Sequence, residues 1–93
     1  MRMRSVRVIV SGRVQGVGYR WFVRETATTC GIVGWVRNRR DGTVEAELHG
    51  DGEALDDVLS ALRQGPRSAR VDALQITDIG LGRQDGFEIR PMA

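Results

Sequence analysis

The sequence predicts an α+β fold: a mainly antiparallel sheet with two helices on one face, joined as a split βαβ sandwich. Three observations predict it. Segments of strand and helix periodicity follow one another as β-α-β-β-α-β, with a short extra strand at the end. Both helical segments stop at glycine, and Arg40-Asp41-Gly42 joins the middle pair of strands as a hairpin turn. The 93 residues, 41% hydrophobic and 28% charged, suffice for one two-layer core and are too few for two. Residues 1–93 are therefore read as a single domain.

Each element has a local reason. Ser5 to Ser11 alternates, with Val6, Val8 and Val10 on one face and Arg7 and Ile9 on the other. Gly12 to Gly18 is a glycine-containing loop. Tyr19 to Cys30 has helical spacing, with Tyr19, Phe22, Val23, Ala27 and Cys30 near one stripe and Arg20 and Arg24 outside it; Gly31 ends it. Ile32 to Arg39 is the second strand. Thr43 to His49 is the third, with Val44, Ala46 and Leu48 on one face and Glu45, Glu47 and His49 on the other, solvent-facing side. Asp51 suits the N-cap of a helix from Gly52 to Gln64, whose stripe is Leu55, Val58, Leu59 and Leu62 and whose stop is Gly65-Pro66. Ala69 to Ile79 is a less regular strand, Gly80 to Gly86 a loop, and Phe87 to Arg90 the last strand.

Composition removes whole classes of chemistry. All 14 basic residues are arginine, so no Schiff-base or P-loop lysine exists. A net charge of +2 is small for non-specific nucleic-acid binding, and no nucleic-acid partner is expected. One cysteine, Cys30, allows no intrachain disulfide and is read as a helix-end core residue. With one histidine, His49, a Cys/His zinc site lacks ligands, and any Ser-His-Asp triad has to run through that residue. Met1-Arg2-Met3-Arg4 is followed by no apolar signal region, and the longest aliphatic run is Val8-Ile9-Val10. A cytoplasmic protein without a membrane partner is expected, and with no coiled-coil seam, a monomer. Trp21 and Trp35 are read as packing or partly exposed cover.

Topology narrows the search for a site. The βαβ connection makes the first two strands parallel, so the Gly12–Gly18 loop and Asn38 emerge at one edge of the sheet. With the third strand between them, their ends lie about 10 Å apart. The loop Gly12-Arg13-Val14-Gln15-Gly16-Val17-Gly18-Tyr19-Arg20 follows a strand and opens a helix. Its successive N–H groups and the helix N-terminus suit an anion, and Arg20 in the first helical turn adds a bidentate guanidinium. It is neither a Walker A loop nor G-x-G-x-x-G, because Trp21 stands at the third glycine. A tight βα turn with a solvent-facing Arg20 is the alternative, and Asn38 taken alone also fits a plain turn residue.

These residues resemble a known family. Val10-Ser11-Gly12-Arg13-Val14-Gln15-Gly16-Val17-Gly18-Tyr19-Arg20 is similar to the first signature of the acylphosphatases. Gly34-Trp35-Val36-Arg37-Asn38, with Asp41-Gly42-Thr43-Val44 and Gly50, is similar to the second. The resemblance runs from about Ser5 to Arg90. Tyr19 stands where the family often has Phe, and Pro91-Met92-Ala93 replaces a frequent final Tyr. The resemblance implies a ferredoxin-like enzyme that hydrolyses the carboxyl-phosphate bond of acyl phosphates, releasing inorganic phosphate, with no metal or cofactor. It implies that Arg20 binds the phosphoryl group with the backbone amides of Gln15, Gly16, Val17, Gly18 and Tyr19, and that Asn38 positions the attacking water. An RNA-binding module on this fold needs exposed aromatics on the central strands, and the first and third strands carry none. A phosphate-sensing domain keeps the loop and Arg20 but has no need of Asn38.

Overall fold

The computed structural model describes residues 2–82 and 84–93. Met1 and Arg83, the latter within the expected Gly80–Gly86 loop, lie outside the described residues. In chain order the elements are β1 (Met3–Arg13), α1 (Tyr19–Thr29), β2 (Val33–Asn38), β3 (Val44–Asp51), α2 (Gly52–Gln64), β4 (Arg70–Asp78) and β5 (Phe87–Ile89). Their type and order are those the sequence predicts. The main difference is β1, which outruns Ser5–Ser11 at both ends; a register shift between Ser11 and Gly12 lets it keep pairing with β4 as far as Arg13 opposite Arg70.

The strands form one sheet in the order β4-β1-β3-β2-β5. β3 is antiparallel to both β1 and β2, so β1 and β2 run in the same direction; β4 is antiparallel to β1, and β5 is parallel to β2. On one face Val6, Val8, Val10, Val36, Val44, Ala46 and Leu48 are each at most 1% exposed. Tyr19, Val23 and Ala27 of α1 and Leu55, Val58, Leu59 and Leu62 of α2 cover them. Phe22 and Cys30, expected within the α1 stripe, pack at the margin of this core.

The two helices are bound together at a point dictated by a proline. Leu62 lies in the last turn of α2, and the residue that would donate to its carbonyl is Pro66, which has no N–H. The buried Tyr19 hydroxyl donates to that carbonyl instead, at 2.8 Å. Burial pushes the Tyr19 phenol well above its ordinary pKa.

The opposite face of the sheet is polar yet largely closed. His49 does lie on that face, but it is only 6% exposed, which corrects the expectation that it meets solvent. Gly82, in the connection between β4 and β5, lies over its ring, and its Nδ1 is 2.7 Å from Ser5 Oγ. Glu45 is closed over in a different way, by Arg7 and Arg37, each at 2.8 Å from a carboxylate oxygen. The guanidinium groups of Arg37 and Arg90 both lie over Trp35, each 4.8 Å from a ring centroid. Alternation assigned Arg7, Glu45 and His49 to the correct face, but it carries no information about a loop crossing that face or arginines lying on it.

Gly34 permits β2 to lie against β3. Its φ is 149°, and a Cβ there would run into the Glu47 carbonyl, part of a backbone that cannot yield. Gly42 also has positive φ, 91°, but nothing lies within 4 Å of a Cβ there. We expect Gly34→Ala to lower the urea midpoint by the equivalent of about 3 kcal/mol or more, and Gly42→Ala by only about 1 kcal/mol. Equal effects would mean that backbone strain, not the close approach, is what glycine answers at position 34.

Tyr19 offers a cleaner pH test. With one tyrosine and no lysine, no other side chain has its ordinary titration range at pH 10 to 11. An unfolded tyrosine ionises near pH 10, whereas burial keeps this one neutral to higher pH. Its contribution is therefore fully present below about pH 10 and lost as pH rises towards the folded value. Tyr19→Phe should lose about 1–2 kcal/mol at pH 7 and should flatten the fall in stability between about pH 10 and 12. Chemical denaturation across that range, read by circular dichroism, tests both.

Candidate active site

Strand pairing sets out the site. Val10 of β1 faces Val44 of β3, which faces Asn38 of β2, so the three form one row across the sheet. Paired residues share a face, and Asn38 therefore stands on the helix side, about 10 Å from Val10 across two strand spacings. Here the chain leaves β1 and runs through Val14–Gly18 into α1.

Gly16 and Gly18 have φ of 72° and 80°, and among the described residues no non-glycine has positive φ, so Val17 between them is negative. Alternating signs turn successive N–H groups towards one side. Gly18 is the N-cap of α1; no side chain caps that helix, and its first turn has no acidic residue. In α2, by contrast, the Asp51 carboxylate accepts from Ala54 N and Glu53 lies in the first turn. The α1 terminus thus keeps free N–H groups and its positive end uncompensated.

Gly16, Gly18, Tyr19 and Arg20 line a hollow of ≈ 170 Å³, together with Val14, Trp21 and Ile89. Gln15, Val17 and Asn38 are outside that lining. The Gln15 side chain has other work: its Nε2 donates to the carbonyls of Arg39 at 2.7 Å and Thr43 at 2.9 Å, fastening the loop to the hairpin that follows Asn38. On the other flank, Ser68 Oγ donates to the Val17 carbonyl at 2.7 Å. The hairpin is itself braced. Asp41 accepts from the hydroxyl and the N–H of Thr43, at 2.6 and 3.0 Å, which holds its carboxyl below the usual range. Asn38 is 9% exposed, and its Oδ1 is buried with no hydrogen-bond partner among the described residues.

Sequence reasoning used only the backbone of Gln15 and said nothing of Ser68. No local signal could have found either role, because their acceptors are 24, 28 and 51 residues away. Trp21 and Ile89 beside the hollow were also missed. For Trp21 a signal existed: a tryptophan in the first helical turn that lies off the apolar stripe. Of the arginines around Asn38, Arg37 is committed to Glu45 on the far face, and Arg39 lies 3.6 Å from Asp41.

Other candidate chemistry fits less well. A larger hollow of ≈ 420 Å³ lies at the start of α2, but Asp51, Glu53 and Asp56 line it beside Arg2, and such carboxylates repel phosphate. Ser5, His49 and Glu47 do come together, with His49 Nε2 3.5 Å from Glu47. Ser5, however, is only 3% exposed, so no substrate carbonyl reaches its hydroxyl. Trp35, buried and covered by two guanidinium groups, is no free platform for a base. Among the described residues no three or more His, Cys, Asp or Glu are grouped to hold a metal ion.

Comparison with known proteins identifies the family. The Acylphosphatase family model matches residues 6–89. An acylphosphatase of Rhodospirillum rubrum is 51% identical over 89 residues, covering 96% of this chain and 98% of that protein. One of Methanocella arvoryzae is 47% identical over 88 residues, covering 95% and 100%. The crystal structure of acylphosphatase from Bacillus subtilis shares the ferredoxin-like fold at a TM-score of 0.91 and 37% identity, covering 96% of this chain and 99% of that one. The chain belongs to the acylphosphatase family, enzymes that hydrolyse acyl phosphates to a carboxylate and inorganic phosphate.

Proposed function

We propose that this chain performs the hydrolysis by direct attack of water on a phosphoryl group held by the N–H groups of Gln15 to Tyr19 and by Arg20, the water being held by the Asn38 amide. One observation carries the reading. An uncapped helix N-terminus with an arginine in its first turn shares a sheet edge with a nearly buried asparagine whose Oδ1 has no partner among the described residues. An unpaired buried acceptor is normally unfavourable by about 1–3 kcal/mol, and a water donating to Oδ1 removes that penalty.

The chemistry asks little more. The carboxylate of an acyl phosphate has an ordinary pKa of about 4 to 5, so it leaves without a general acid. Phosphoryl transfer then depends on positioning and on stabilising charge at the phosphate oxygens. The loop N–H groups and Arg20 supply the second and Asn38 the first. The water oxygen bonds to phosphorus while the bridging P–O bond breaks, its electron pair leaving with the carboxylate. Asn38 is not a base, so the water's proton passes to a phosphate oxygen of the substrate. The reading includes a metal-independent reaction without cofactor in a cytoplasmic monomer with no nucleic-acid or membrane partner; the single cysteine fits a reducing compartment.

With benzoyl phosphate as substrate, Arg20→Ala should lower kcat/KM by about 10³-fold or more and weaken inhibition by inorganic phosphate. Asn38→Ala should lower kcat by about 10²–10³-fold and leave phosphate inhibition in place. Near-normal turnover in Asn38→Ala would remove the water-positioning role.

The rate should be nearly flat from about pH 5 to 7 and insensitive to EDTA, because no protein base and no metal take part. A steep dependence near pH 6.5 that disappears in His49→Gln, or inhibition by EDTA, would overturn that part of the mechanism.

A further inference from the structure

We propose that Trp21 and Ile89 form an acyl-group subsite, so that the enzyme favours acyl phosphates with aromatic or bulky apolar acyl groups over acetyl phosphate. This rests on the phosphate site proposed above and extends it to the other half of the substrate.

Large apolar side chains exposed on a small soluble protein are informative when they cluster at a concave polar site. Trp21 is 58% exposed and Ile89 37%. Both line the hollow that Gly16, Gly18 and Arg20 also line, whereas the other exposed large hydrophobics among the described residues, Met3, Ile76, Leu81 and Met92, do not. The core explains neither residue. Trp21 is off the buried α1 stripe of Tyr19, Val23 and Ala27, among exposed positions otherwise held by Glu25, Thr28 and Thr29. Ile89 pairs with Val36 and so takes the helix side of the sheet, but on its edge strand.

Substrate geometry brings the acyl group to this wall. In an acyl phosphate the carbonyl carbon is two bonds from phosphorus and the next carbon of the acyl group three. With the phosphoryl group on the loop N–H groups and Arg20, that chain must cross the surface flanking them. The indole offers a flat face on which an aryl ring can stack, and Ile89 an aliphatic surface beside it. A methyl group is too small to cover either.

The test compares benzoyl phosphate with acetyl phosphate in the wild type, Trp21→Ala, Trp21→Phe and Ile89→Ala, with inorganic phosphate, phenylphosphonate and methylphosphonate as inhibitors. Trp21→Ala should lower kcat/KM for benzoyl phosphate about tenfold, mainly through KM, and for acetyl phosphate at most about twofold. Trp21→Phe should keep most of the preference, Ile89→Ala should lose part of it, and phenylphosphonate should lose its advantage over methylphosphonate in Trp21→Ala. Equal losses on both substrates, or none, would overturn the subsite. If that happens while inorganic phosphate still inhibits and Arg20→Ala still abolishes turnover, the acyl subsite fails alone. If inorganic phosphate does not inhibit and Arg20→Ala is active, the phosphate site itself has failed.

Discussion

The proposed site depends on β3 lying between β1 and β2. Were the two parallel strands adjacent, their ends would be about 4.8 Å apart, too close for a phosphoryl group and a water to occupy separate positions. One inserted antiparallel strand doubles the gap, and the row Val10, Val44, Asn38 measures it. A gap of that width has to be held constant, because misplacement of the order of 1 Å can cost about 10²-fold in rate. The Gln15 side chain spans it by donating to two carbonyls of the β2–β3 hairpin, and Ser68 ties the other flank of the loop. The loop is thus suspended between two parts of the framework, with its glycines free to adopt positive φ.

How much of this was legible follows from the range over which each feature is encoded. Alternation and stop signals are local, so the order of elements, the α2 span Gly52–Gln64 and the Asp51 cap could be read directly. The convergence of the glycine loop and Asn38 followed from topology, since a βαβ unit carries its own handedness and direction. What could not be read was whatever depends on residues far away in sequence. His49 sits on the face that alternation assigned, yet Gly82 and Ser5 enclose it. Tyr19 was read as a residue of the apolar stripe, a backbone donor and a substitute for phenylalanine, with no role for its hydroxyl. Its hydroxyl acquires a purpose once α2 is docked beside it and Pro66 has left the Leu62 carbonyl without a backbone donor.

The all-arginine composition also has physical consequences. Glu45 is nearly buried and is gripped from two sides by Arg7 and Arg37, while Arg37 also lies over Trp35. A planar guanidinium can pair with a carboxylate along its edge and stack on an aromatic ring with its face at the same time. A lysine ammonium, compact and strongly hydrated, cannot do both. The polar face of the sheet is therefore closed by charged groups instead of a second layer of helices, which suits a chain with so little length to spare.

The proposed site is assembled from groups left without partners, in contrast to comparable groups elsewhere in the fold. Elsewhere α2 has its cap, the Leu62 carbonyl has a substitute donor, and the carboxylate of Glu45 has two partners. At one edge, the α1 terminus has no side-chain cap, Asn38 Oδ1 has no partner among the described residues, and a tryptophan stands largely in water. Each is unfavourable in isolation, by roughly 1 kcal/mol for a missing cap and about 1–3 kcal/mol for an unpaired buried acceptor. Scattered, they would be defects. Brought to one end of the sheet, in the proposed mechanism they suit in turn an anion, a water and an apolar group, the three components that meet when an acyl phosphate is hydrolysed. On the proposed mechanism, substrate binding satisfies locally what folding left unsatisfied, so the interactions withheld from the native state remain available to the transition state.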